Sequence, residues 1–128
     1  MSNLKTFLAR FNQAWAEHDI KTIIAGVTDD IRFQMATDDT GIKGKEAFEK
    51  WLTEMMNPDY KVTMNTERLF ISGNDAALSG SMEMVDPTGA EHKFAFCDLY
   101  TLRDGKVSEL RAYVMDYKAD KSCPASSE

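Results

Sequence analysis

A chain of 128 residues has the length of one domain built around one substantial core. Its net charge of −6 and pI near 4.9 deny it the basic face that neutralising phosphates requires, which excludes nucleic acid as a partner. No apolar run approaches the ~18 residues of a membrane helix, so no membrane partner is expected. Cys97 and Cys123, one in a strand and one near the end, make no disulfide framework, and a reducing cytoplasm is the expected compartment.

The opening stretch MSNLKTFLARF alternates polar and apolar residues at helical spacing and lacks the unbroken apolar centre of a secretory signal. Leu4, Phe7, Leu8, Phe11, Ala14, Trp15 and His18 fall on one face of an amphipathic first helix, with Ser2 or Asn3 as its cap. Asp19 caps a second, shorter helix, IKTIIAGV, ending near Thr28. After Asp29-Asp30 comes a strand, IRFQMA, with Ile31, Phe33 and Met35 on one face and Arg32 and Gln34 on the other. TDDTGIKG reads as a polar turn region. Gly44 opens a third helix, KEAFEKWLTEMM, with Ala47, Phe48, Trp51, Leu52 and Met55 inward, and Asn57-Pro58-Asp59 stops it.

From Tyr60 the period changes to two. YKVTMNTERLFIS is a long strand, AALSGSMEMV follows, and Asp86-Pro87-Thr88-Gly89 has the composition of a type I turn. A last hairpin runs from His92 to Lys118 around Arg103-Asp104-Gly105. The pattern predicts an α+β domain over residues 1–118, with residues 119–128 as a flexible polar tail.

One carboxylate, Asp98, stands in the most apolar strand. A two-residue Asp104-Gly105 loop would set it opposite Arg111 as an ion pair. A three-residue loop with Gly105 in a bulge would set it opposite Leu110, sharing a face with Phe94, Phe96, Tyr100, Ala112 and Val114. The second register gives the more uniformly apolar inner face and is adopted here. Arg111, Tyr113, Met115 and Tyr117 then point outward, a face suited to a homodimer contact. The expected pocket wall is Trp15, Phe33, Met35, Met82, Met84, Phe94, Phe96 and Val114, with Asp98 among them. Burial by such neighbours would raise its pKa and prepare a general acid; pairing with Arg111 would leave it purely structural. Tyr100 could lend a hydroxyl to a ligand. His18 reads as a solvated helix-end residue and His92 as exposed. Two scattered histidines make no metal site, and the absence of a glycine-rich phosphate loop leaves no cofactor expected. Cys97 reads as a packed small hydrophobe.

Ala9-Arg10-Phe11, Trp15 with Asp19, Asp29-Asp30, Ile42-Lys43-Gly44, and the run Asp98-Leu99-Tyr100-Thr101-Leu102-Arg103-Asp104-Gly105-Lys106-Val107 with Tyr113 resemble the nuclear transport factor 2-like superfamily, in its SnoaL-like and ketosteroid isomerase-like branch. The resemblance implies a cystatin-like cone: three helices on a strongly curved antiparallel sheet enclosing a pocket for a small hydrophobic molecule. Ketosteroid isomerases use a helix Tyr, a strand Asp base and an acidic Asp, and the matching positions are Phe11, Met35 and Asp98. Limonene epoxide hydrolases use an Arg–Asp pair and a last-strand Asp, where this chain has LSGSMEM without Arg, and Ala112. Neither mechanism carries over whole. SnoaL-like cyclases rely on an inward acid, which Asp98 matches. The resemblance thus implies a cofactor-independent isomerase, cyclase or related lyase acting through Asp98, or a binding and dimerisation module with a vestigial pocket.

Overall fold

The computed structural model describes residues 3–117. The expected cap at Ser2, the Asn3 side chain, Lys118 and the tail at 119–128 lie outside what it describes.

The chain runs α1 (Asn3–Ala16), α2 (Ile20–Ala25), β1 (Val27–Met35), β2 (Ile42–Lys43), α3 (Lys45–Met55), β3 (Lys61–Ser72), β4 (Asp75–Val85), β5 (Glu91–Arg103) and β6 (Lys106–Asp116). The strands form one sheet in the order β2-β1-β6-β5-β4-β3. The three helices pack on it as an α+β cone, and α1 crosses its concave face. The core joins Leu8, Phe11 and Ala14 of α1 to Ile31 and Phe33 of β1, Phe48 and Leu52 of α3, and Leu78, Phe96, Tyr100 and Leu110 of the sheet. Burying each of these large side chains contributes about 1.5–3 kcal/mol before chain entropy is counted.

Local chemistry sets the boundaries. α1 ends in a Schellman motif: the His18 amide donates to Trp15 and the Asp19 amide to Ala14, with His18 in the left-handed region at φ 57°. Asp19 then caps α2, its carboxylate accepting from the Thr22 amide at 3.2 Å and the Thr22 hydroxyl at 2.7 Å. These bonds, with Arg10 nearby, hold the Asp19 carboxyl below its ordinary value. In the β4–β5 turn Asp86 accepts from the Thr88 hydroxyl (2.6 Å) and from the Thr88 and Ala90 amides, and it faces His92 at 3.2 Å. Its carboxyl is therefore pulled well below the usual range.

Several expectations need correction. α2 stops at Ala25, because the Gly26 amide bonds back to Ile23 and the Gly26 carbonyl accepts from Val107. The following strand therefore starts at Val27 and includes Asp29-Asp30. Ile42–Lys43, expected in a turn, pairs with Arg32 and Phe33. On α3 the buried stripe is Phe48, Leu52 and then the half-buried Met56, each four residues apart. Ala47 and Met55 fall on its flank and are exposed. The sheet is mixed, because β1 pairs parallel to β6 while the other pairs are antiparallel.

The last hairpin also differs. Its loop has two residues, with both Asp104 (φ 55°) and Gly105 (φ 77°) left-handed, as a type I′ turn demands. Arg103 pairs with Lys106 and Leu102 with Val107, but Thr101 pairs with Glu109. Ser108 is the extra residue of a bulge, its hydroxyl donating to the Thr101 carbonyl at 3.1 Å. Asp98 therefore sits opposite Ala112, neither Arg111 nor Leu110. The bulge moves the register by one residue, so the face sharing of Asp98 with Phe96 and Val114 is the expected one although the pairing is not.

Candidate functional site

The register lays the concave face out in rows across the sheet. One row reads Leu69, Leu78, Asp98, Ala112 and Met35. On one side of it lie Ala76, Tyr100, Leu110 and Phe33, all at most 6% exposed, the closed end of the cone. On the other side lie Thr66, Gly80, Phe96 and Val114, and beyond them Met64, Met82, Phe94 and Asp116. Met64, Met82, Phe94 and Val114 are only half-buried, so this end is open. Asp98 stands at the border between sealed core and open wall.

The electrostatics follow from that position. None of the side chains in these rows is a Lys or Arg, and Arg111 on the opposite face pairs with Leu99 and donates to Gln34 at 3.3 Å. Asp98 therefore has no cation to hold its charge, and burial pushes its pKa up to about 7, against a smaller lowering by the Tyr100 hydroxyl. Tyr100 lies two residues along the same strand face. Burial and the adjoining Asp98 carboxylate both push its phenol upward. A carboxyl titrating near neutrality populates donor and acceptor forms side by side.

The nine side chains expected to line a pocket divide in two. Trp15, Met35, Met82, Met84, Phe94 and Val114 are half-buried, Trp15 packed beside Phe33 and Trp51. Phe33, Phe96 and Tyr100 are sealed, at 3%, 5% and 3% exposure. Phe33 is held by Trp51 at 4.7 Å, Phe48 at 5.2 Å and Trp15 at 6.0 Å between ring centroids. Tyr100 packs edge-on to Phe11 at 6.1 Å. These three lie on the same concave face, covered by packing.

One residue of this face escaped the sequence reading. Asn12 is 3% exposed, on the sheet-facing side of α1 between Leu8 and Trp15, and its Nδ2 donates to Thr66 Oγ1 at 3.5 Å. The signal was a polar residue four positions after Leu8 and three before Trp15, inside the apolar stripe. A count of apolar spacings passes over it.

Two surface recesses lie elsewhere. One of about 590 Å³ is lined by Val27, Thr28, Asp29, Asp30, Arg103, Asp104 and Lys106 at the hairpin tip. Two of its three acids have partners: Asp30 accepts from Arg103 and Thr28, which lowers its carboxyl to about 2, and Asp29 lies 3.4 Å from Lys45. The other, of about 80 Å³, runs beside β2. Both are ordinary solvated grooves, and neither desolvates a titratable group as the concave face does. Among the described residues no group of three or more His, Cys, Asp or Glu could hold a metal, and no helix is long and apolar enough to cross a membrane. Cys97 is free and half-buried on the convex face, its thiol pushed up by burial and by Asp98.

Comparison with known proteins brings out the same architecture. Residues 8–110 match the family described as the SnoaL-like domain. No curated protein matches the chain. Among solved structures, an LEH-like epoxide hydrolase of M. tuberculosis superposes with a TM-score of 0.75 at 17% identity, covering 88% of this chain and 82% of that one. SalBIII, an epoxide hydrolase/cyclase-like enzyme of pyran ring formation in salinomycin, gives 0.74 at 20% identity, covering 90% and 96%. An NTF2-like protein of unknown function from Cytophaga hutchinsonii gives 0.70 at 18%, covering 88% and 99%. At these identities the likeness carries the fold and leaves the chemistry open.

Proposed function

Because the chain belongs to the SnoaL-like domain family, we propose that it holds a small, hydrophobic, carbonyl-bearing molecule on the open part of its concave face and acts on it by acid–base chemistry through Asp98. The carrying observation is the Asp98 carboxyl among apolar neighbours on the concave face, desolvated, without a cation and titrating near 7. Trp15, Met35, Met82, Met84, Phe94 and Val114 supply the apolar contact, and the methionines let it adapt to shape. Phe33, Phe96 and Tyr100 hold that wall rigid. In its neutral form Asp98 donates its proton to the carbonyl oxygen. The adjacent C–H, made acidic, then loses its proton to water, and the products are an enol, a hydronium ion and the Asp98 carboxylate. This is the first half of an isomerisation or cyclisation. We further assign the chain to a homodimer formed through the convex face.

The test needs no knowledge of the natural substrate. Exchange of the α-protons of 2-tetralone into D₂O, followed by NMR, should be faster with the wild-type protein than in buffer alone. Asp98→Asn should lower that acceleration by about 100-fold, and the wild-type acceleration should fall as pH rises past about 7, where the donor form is lost. A second reading, a binding module without chemistry, is favoured by Phe11 and Met35, which stand where ketosteroid isomerases carry their Tyr and base. Binding of the ketone with no acceleration of exchange would select it.

A further inference from the structure

We propose that Asn12 is a ligand-orienting residue of the Asp98 site, and that the molecule held there is neutral, mostly apolar and bears hydrogen-bonding oxygen functions at two ends. The inference rests on the reading of the concave face as a ligand site and adds a second polar anchor to it.

Among the described residues Asn12 is one of three buried polar residues, with Thr28 and Ser81, and it alone of these lies on the sheet-facing side of α1. An amide offers two N–H donors and a carbonyl acceptor. Among the described residues its side chain makes one hydrogen bond, and that one is long, 3.5 Å to Thr66 Oγ1. Among the described residues no fully buried side-chain polar atom is left without a partner. Oδ1, which has no protein donor there, therefore keeps a sliver of its own surface uncovered although the residue as a whole is sealed. A buried amide left largely unmatched costs stability that Leu at the same place would not, and a ligand supplies the missing partner.

Position gives the spacing. Thr66 pairs with Gly80, and Gly80 pairs with Phe96, so the β3 row that Asn12 reaches lies two strand spacings, roughly 10 Å, from β5, which carries Asp98. Between the two polar points β4 presents Gly80 and Leu78, neither of them polar in its side chain. The rows carry no Lys or Arg and contain two acids, Asp98 and Asp116, so an anionic ligand finds no counter-charge. A compact two-ring skeleton with a carbonyl at Asp98 and a hydroxyl at Asn12 matches the spacing, the charge and the apolar wall.

The test measures dissociation constants for 2-tetralone and 6-hydroxy-2-tetralone from the fluorescence of Trp15 and Trp51. The wild type should bind the hydroxylated ketone roughly three- to tenfold more tightly, the value of one hydrogen bond. Asn12→Leu should erase that preference and raise the denaturation midpoint of the free protein. Asp98→Asn should weaken both ketones. Thr66→Val removes the same protein hydrogen bond from the other side and should keep the preference. A preference that survives Asn12→Leu, or that Thr66→Val also abolishes, overturns the role of Asn12 and leaves the Asp98 site standing. Equal binding of the two ketones by the wild type has the same meaning. Failure of either ketone to bind the wild type, or binding untouched by Asp98→Asn, overturns the site reading and the proposal together.

Discussion

Asp98 owes its proton affinity to burial among apolar neighbours, Leu78 and Ala112 across the ladder and Phe96 along the strand, against which the Tyr100 hydroxyl works. Its folded pKa of about 7 lies above the ~3.9 of an unfolded chain, so the native state binds this proton more tightly. That advantage is whole below about pH 4, shrinks as pH rises toward 7, and above 7 ionisation opposes folding in full. Asp98→Asn should accordingly leave stability nearly unchanged at pH 4 and be neutral or stabilising, by about 1–3 kcal/mol, at pH 8. Urea titrations of both proteins at the two values check it. A mutant clearly less stable at pH 8 would mean that the carboxylate has a favourable partner. Asp98 itself was legible, because a charged residue in a run such as FAFCDLY stands out. Asn12 was not, because a single amide on a helix stripe leaves the apolar period intact.

The elements are shaped by two one-residue insertions. At Glu67 the register of β3 against β4 slips, Thr66 facing Gly80 and Arg68 facing Ser79, and the strand pair bends there. Gly80 allows the bend, since a Cβ on it would come 2.1 Å from the Asn65 carbonyl oxygen. Gly80→Ala should destabilise the protein by about 2–3 kcal/mol, the usual cost of overpacking, read as a shift in the urea midpoint; a loss under ~0.5 kcal/mol would show that the bend does not depend on this contact. The second insertion, Ser108, explains what the sequence left unread in the last hairpin. Asp104-Gly105 announces a two-residue turn by composition, whereas a serine bulge three residues later has no signature of its own. The helices were legible from their spacing and the meander from its period of two. The pairing of β1 with β6 was not, since parallel partners distant in sequence leave no local mark.

At the scale of the molecule, the convex face looks unfinished. Small side chains, Ala77, Ser79, Ala95 and Cys97, occupy its middle, and Phe70, Leu99, Tyr113 and Met115 stand exposed around them. A second copy of the chain would cover such a face, burying ~800 Å² per partner. Light scattering at micromolar concentration should give the dimer mass, and Met115→Asp should give the monomer mass with the fold retained. A monomeric wild type would count against the assembly. The parallel partnership of β1 and β6 carries a further consequence, for the order in which the protein comes into being. β1 is made well before β6, and in the meantime only the two-residue β2 pairs beside it. The pairing of Val27 with Val107 and of Phe33 with Leu110 waits for that later strand, so this part of the sheet closes by a slow, long-range step.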